Sequence, residues 1–171
     1  STYTKRTFPY NVYAGSQDQG FQRSISPGGE GVFDFIQSIS GDYGHLSSGD
    51  EGESIWCNYP GFTLYYGHPI TGGESQSLDF PGSGHLWLAP IIEDPYNPNQ
   101  AYLAGGGLSG GNHLFHLTAG SGSITYTEES YSFNSTISAM GYSAIEPNHR
   151  YILTYYGSFY HSPDNGENWQ M

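Results

Sequence analysis

Basic side chains are nearly missing from this sequence. Lys5, Arg6, Arg23 and Arg150 stand against 16 acidic residues, a formal net charge of −12 over 171 residues. No basic patch can form, which argues against nucleic acid and anionic membrane surfaces as partners. Cysteine occurs once, at Cys57, so no disulfide can close within the chain. In the apolar run Ser54-Ile55-Trp56-Cys57 that thiol reads as a buried, inert strand residue. No apolar stretch approaches the roughly 20 residues of a membrane helix, so no membrane insertion is expected. No signal peptide is visible at the N-terminus, although the chain begins with Ser1 as if in mid-fold. Leu and Ala are sparse, and no apolar spacing of the helical kind is found.

What remains is glycine and tyrosine, 25 and 16 copies. Turns joining short aromatic-rich strands account for both, and the length fits one domain or part of one. Four segments share one grammar: an apolar strand ending in Gly, a short gap, then a second strand. They begin at Asn11-Val12-Tyr13, Gly61-Phe62-Thr63, Gln100-Ala101-Tyr102 and Arg150-Tyr151-Ile152. Their second halves are 20–24, 74–78, 113–117 and 158–162. The units recur about every 40 to 50 residues, the period of propeller blades. Further strand candidates, residues 53–59, 86–92 and 137–145, precede the later three. Pro-bearing turns follow two of these, at Glu93-Asp94-Pro95 and Glu146-Pro147, where proline ends pairing.

The most specific stretch is Ser162-Pro163-Asp164-Asn165-Gly166-Glu167-Asn168-Trp169, spaced S-x-D-x-G-x-x-W. Asp164 can accept hydrogen bonds from backbone N–H groups two and three residues on. Gly166 supplies the left-handed backbone of a tight turn. Trp169 can fold back over the hairpin. This stretch resembles the Asp box (BNR repeat) of β-propellers, including sialidases, sortilin-type propellers and xyloglucanase-type glycoside hydrolases. Faded copies sit at Ser26-Pro27-Gly28-Gly29 and Thr118-Ala119-Gly120-Ser121-Gly122, with Gly in place of Asp. The phrases Tyr13-Ala14-Gly15-Ser16-Gln17-Asp18-Gln19-Gly20 and Gly41-Asp42-Tyr43-Gly44 look like those of large secreted propeller proteins of Bacteroidetes-type bacteria.

The resemblance implies an all-β partial propeller of about three to four four-stranded blades, with approximate limits 1–45, 46–85, 86–135 and 136–171. It implies a fragment of a larger propeller that needs its missing blades or a partner chain. A small ring in which residues 1–8 supply the last blade's outer strand is the alternative. In the family the box (Ser162, Asp164, Gly166, Trp169) is a folding device away from the active pocket.

For chemistry, glycoside hydrolysis needs two carboxylates roughly 5–9.5 Å apart across a cleft. Asp18 and Asp42, in Gly-flanked loops, are the candidates; capping of turns is the competing role. A sialidase needs an arginine triad for bidentate carboxylate binding, and the three arginines here lie in unrelated contexts. His113 and His116, three apart on a strand, face opposite sides and share no metal. No metal ligand set is identified; calcium would suit loop 49–53 or Glu93-Asp94 by its preference for oxygen, but the spacing matches no calcium motif. Exposed aromatics such as Tyr65, Tyr66 and Tyr96 could stack on sugars or anchor a protein partner, or pack between blades. Three functions stay open. The preferred one is an extracellular or cell-surface bacterial propeller segment binding a glycan or protein ligand without catalysis of its own. The others are part of a xyloglucanase-type hydrolase and purely structural blades.

Overall fold

The computed structural model describes residues 1–25, 31, 34–67, 75–82, 84–106 and 111–171. Among these there is no α-helix. Four antiparallel sheets follow one another along the chain. The first holds β1 (Thr2–Thr4), β2 (Val12–Ser16), β3 (Gly20–Ser24) and β4 (Phe35–Ile39); the second holds β5 (Leu46–Ser47), β6 (Ser54–Tyr59), β7 (Phe62–Gly67) and β8 (Ser75–Asp79). The third holds β9 (Ile91–Glu93), β10 (Gln100–Leu103), β11 (Phe115–Ala119) and β12 (Ile124–Glu128); the fourth holds β13 (Ile137–Tyr142), β14 (Arg150–Thr154) and β15 (Phe159–Ser162). His161 also makes an isolated bridge to Gln170, outside these strands. Each sheet is an up-and-down meander, so every hairpin is local.

Turn chemistry sets the hairpins. β6 and β7 are joined by Pro60-Gly61, with Tyr59 opposite Phe62 and Gly61 at φ +97°. Proline presets the first turn position and glycine takes the left-handed second one. At Gly20 (φ +69°) a side chain would also run into the carbonyl of Ile39.

The sheets stack face to face like blades. β1 lies beside β5, β5 beside β9 and β9 beside β13, so the first strands form an inner row. Three apolar clusters fill the spaces between successive sheets. Tyr13, Phe21, Tyr43, Ile55, Cys57, Leu64 and Tyr66 lie between the first and second. Trp56, Tyr65, Phe80, Leu103, Phe115 and Leu117 are among those between the second and third. Tyr102, Leu114, Phe133, Ile137, Ile152 and Tyr160 lie between the third and fourth. Each fully buried large side chain contributes about 1.5–3 kcal/mol. β6 and β7 are sandwiched on both sides, which is why nearly every residue in them is buried.

The sequence differs from the structure in phase at one unit. Three of the repeated strand pairs are the second and third strands of their sheets, but residues 62–67 and 75–78 fall on the third and fourth, β7 and β8. β6 and β7 are equally apolar, so the strand grammar cannot tell them apart. The expected strand over 86–92 shrinks to Ile91–Glu93. Pro90 has no N–H to donate, and only its carbonyl is used, by the N–H of Ala104. Residues 1–8 do not close a ring: Thr2–Thr4 pairs with β2 of its own sheet. The faded turn at 26–29 and the glycine-rich turn at 68–74 lie outside the described residues.

Candidate functional site

Successive sheets bring loops together at two ends. At one end are the β2–β3 hairpin, the 40–45 connection and the 80–90 connection. They enclose a cleft of about 420 Å³ whose walls include Ser16, Gln17, Asp42, Tyr43, His45, Trp87 and Leu88. Trp87 and Leu88 are 65% and 46% exposed, while the next residue, Ala89, is buried. An indole in contact with water beside a carboxylate and an imidazole is a platform with polar groups at its edge.

One buried side chain holds two walls in place. Asn58, 1% exposed, accepts the N–H of His45 at 2.8 Å through Oδ1. Its Nδ2 donates to the carbonyl of Ala89. Its own backbone carbonyl accepts the N–H of Gly44 at 2.9 Å. Asn58 therefore ties the 40–45 connection to the 86–90 connection. A side chain at Gly44 would strike Leu88 and Asn58 Oδ1, so glycine permits this approach.

Asp18 and Asp42 are brought together, through the backbone of one of them. Asp42 Oδ1 accepts the N–H of Asp18 at 2.7 Å, and Asp18 sits at φ +62° at the hairpin tip. Asp42 thus caps the hairpin and borders the cleft. Tyr65 and Tyr66 lie inside β7 with their rings between blades, Tyr65 against Trp56 and Tyr66 against Tyr13 and Phe21. Tyr96 is 56% exposed in the β9–β10 turn, at the other end.

That other end carries the turn motif. Ser162 Oγ donates to Asp164 Oδ1 at 2.8 Å and accepts the N–H of Gly166 at 2.9 Å. Asp164 receives the N–H of Asn168 at 2.9 Å and its side-chain amide at 2.6 Å. The carboxylate therefore reaches four residues on, farther than an Asx turn. Hydrogen bonds from the Asn168 side chain, then its N–H and the Ser162 hydroxyl, hold Asp164 below the usual carboxylate range. Trp169 packs edge-on to Phe133 at 5.1 Å.

The same construction occurs at Ser48-Gly49-Asp50-Glu51-Gly52-Glu53-Ser54, which sequence reasoning missed. Ser48 Oγ donates to Asp50 Oδ1 at 2.9 Å and accepts the Gly52 N–H at 2.9 Å; Asp50 Oδ1 accepts the Ser54 N–H at 2.8 Å. Glu51 and Gly52 at φ 59° and 94° match Asn165 and Gly166 at 63° and 95°. The shared S-x-D-x-G spacing was the available signal. The loop considered for calcium is thus a self-bonded turn. The Glu93-Asp94 turn is likewise occupied: Asp94 accepts the N–H groups of Tyr96 and Asn97 and bonds Tyr102 and Arg150. Arg150 stacks over the Tyr102 ring at 3.9 Å, buried between the third and fourth sheets. Glu93 accepts the Tyr142 hydroxyl at 2.5 Å. Among the described residues no three His, Cys, Asp or Glu side chains gather as metal ligands. His113 bonds the Glu129 carbonyl, and His116 stacks on Tyr102.

No family model and no curated protein matches the chain. Among solved structures it is similar to the β-propeller domain of Cps50 (Swd1) from Myceliophteria thermophila, with a TM-score of 0.63 at 13% identity. The match covers 93% of this chain and 49% of that one, so the chain spans about half the length of that propeller. The fold is that of a β-propeller, and the four sheets are its blades.

Proposed function

We propose that this chain is a ligand-binding sector of an Asp-box β-propeller and that the cleft beside Trp87 takes a glycan. The observation that carries the reading is Trp87, 65% exposed, in one cleft with Asp42, His45, Ser16 and Gln17. A sugar ring offers an apolar face to the indole and hydroxyls to such polar groups. The two Ser-Asp turns at the opposite end fit the folding role that the Asp-box resemblance implies. A secreted, cell-surface bacterial setting belongs to the same proposal, supported by the acidic composition. Hydrolysis is the weaker reading, because Asp18 meets Asp42 through its backbone N–H and a water-activating pair would have to converge across the cleft.

Calorimetric titration with soluble xyloglucan and chitin oligosaccharides tests the reading. Binding should be seen, and Trp87→Ala should weaken it at least tenfold, on the scale of about 1.4 kcal/mol or more for a lost stacking platform. Absence of binding across the panel, or binding indifferent to Trp87→Ala, would sink it.

A further inference from the structure

We infer that His149 and His161 form a two-imidazole site for a divalent transition-metal ion of the copper and zinc class. The site lies apart from the cleft beside Trp87, next to the 162–169 turn. His149 ends the turn between β13 and β14, and His161 lies on β15. His161 Nε2 stands 3.0 Å from His149 Nδ1, with the ring planes 40° apart. Metal–imidazole bonds of the zinc type are about 2.0–2.1 Å long, so two of them at right to tetrahedral angles set their nitrogens about 2.9–3.4 Å apart. The two nitrogens thus already have the spacing of neighbouring ligands on one ion. Both rings sit on anchored backbone. The N–H of His149 donates to the Glu146 carbonyl at 2.8 Å, and its carbonyl accepts the Ser143 N–H at 2.9 Å. His161 exchanges two backbone hydrogen bonds with Gln170, each 2.9 Å. Asn148 fastens the turn to the 162–169 segment: its carbonyl accepts the Asn165 N–H and its side-chain amide donates to the Pro163 carbonyl, both at 2.8 Å. Tyr151 stacks on the His161 ring at 5.2 Å. Little is left to order when an ion arrives.

Glu146 adds the outer partner that metal-binding imidazoles commonly have. Its Oε2 lies 3.2 Å from Nε2, the other ring nitrogen of His149. A carboxylate there favours the proton on Nε2 and leaves the Nδ1 lone pair directed at His161. In the metal-free protein the Nε2–H of His161 donates to that lone pair. An ion needs both lone pairs, so the Nε2 proton of His161 leaves and its Nδ1 takes one up. The ring stays neutral and the number of bound protons is unchanged. Water fills the remaining coordination positions. Imidazole nitrogen suits late first-row ions, copper above zinc, whereas calcium prefers oxygen. The bound ion clips the β13–β14 turn to β15.

Calorimetric titration of the protein with Cu²⁺ and with Zn²⁺ tests the site. One ion should bind per chain, Cu²⁺ more tightly than Zn²⁺. His149→Ala and His161→Ala should each weaken binding at least about tenfold, because the second imidazole engages intramolecularly. Spectra of the unsubstituted protein with ¹⁵N-labelled histidine give a readout that needs no variant. Zn²⁺ should move the ring signals of His149 and His161 together and transfer the His161 proton from Nε2 to Nδ1. No binding, or binding indifferent to either substitution, would overturn the inference. So would ring shifts confined to other histidines, or displacement of the ion by Ca²⁺, which would place it on carboxylates.

Discussion

Replacing Asn58 with alanine removes both side-chain hydrogen bonds that hold the cleft walls together and leaves the backbone bond to Gly44 in place. Alanine reaches neither partner. The N–H of His45 lies near the surface and can turn to water, so its loss costs about 1 kcal/mol, the net worth of an ordinary hydrogen bond. The carbonyl of Ala89 belongs to a residue that is 3% exposed and is left unpaired in an apolar interface, which costs roughly 1–2 kcal/mol more. The sum is about 2–3 kcal/mol. For a domain of this size that lowers Tm by roughly 4–12 °C. Thermal and urea unfolding would measure it, with the m-value unchanged if only stability moves. Asn58→Leu separates packing from hydrogen bonding, because it fills the space without a donor or acceptor. It should be as destabilising as alanine. A loss below about 0.5 kcal/mol for alanine, or full recovery with leucine, would refute the assignment of Asn58 as the tie between the walls.

Arg150→Ala should cost about 3 kcal/mol, the lower end for breaking a buried ion pair, because Asp94 keeps its amide and tyrosine partners; denaturant unfolding checks it. Asp164 has a depressed folded-state pKa, so its contribution is present above the unfolded value near about 3.9 and is lost as pH falls through the folded one. Hydrogen exchange at the Asn168 amide should stay protected at pH 5 and open only in more acid solution, whereas Asp164→Asn should lack this dependence; opening that begins near neutral pH would contradict it. Burial pushes the Cys57 thiol far up, so maleimide should label it only at the rate of unfolding. Fast labelling of the folded chain would show that the space between the first and second blades is open.

How much of this was legible from residues depends on whether a side chain specifies its own backbone. The Ser162–Asp164–Gly166 turn was legible because its letters dictate local hydrogen bonds. The letters alone do not suffice, however. Ser16, Asp18 and Gly20 share the spacing, but Ser16 pairs with Gly20 across a hairpin, and the left-handed residue before Gly20 is Asp18 itself, not the residue after the Asp as at Glu51 and Asn165. The turn at Ser48 was overlooked because its tryptophan, Trp56, comes one residue later than in the motif and lies within β6. Tyr65-Tyr66 and Tyr155-Tyr156 look alike in sequence. The first pair lies within β7, where alternation buries one ring on each face; the second falls just past β14, and both rings are exposed. The cleft was hidden because Trp87 stands in an apolar run that reads as strand, and because Asn58 is a lone polar residue whose partners come from two loops distant in sequence.

The central claim, that the cleft beside Trp87 is where a ligand sits, can be read directly from the indole N–H signals. The chain has three tryptophans. Trp56 is buried, its Nε1 bonded to the Pro98 carbonyl at 3.1 Å, and Trp169 belongs to the turn at the far end. With ¹⁵N-labelled tryptophan, titration with the oligosaccharides above should shift the Trp87 signal alone and saturably. A spectrum in which Trp169 shifts instead, or in which none of the three moves, would contradict the account.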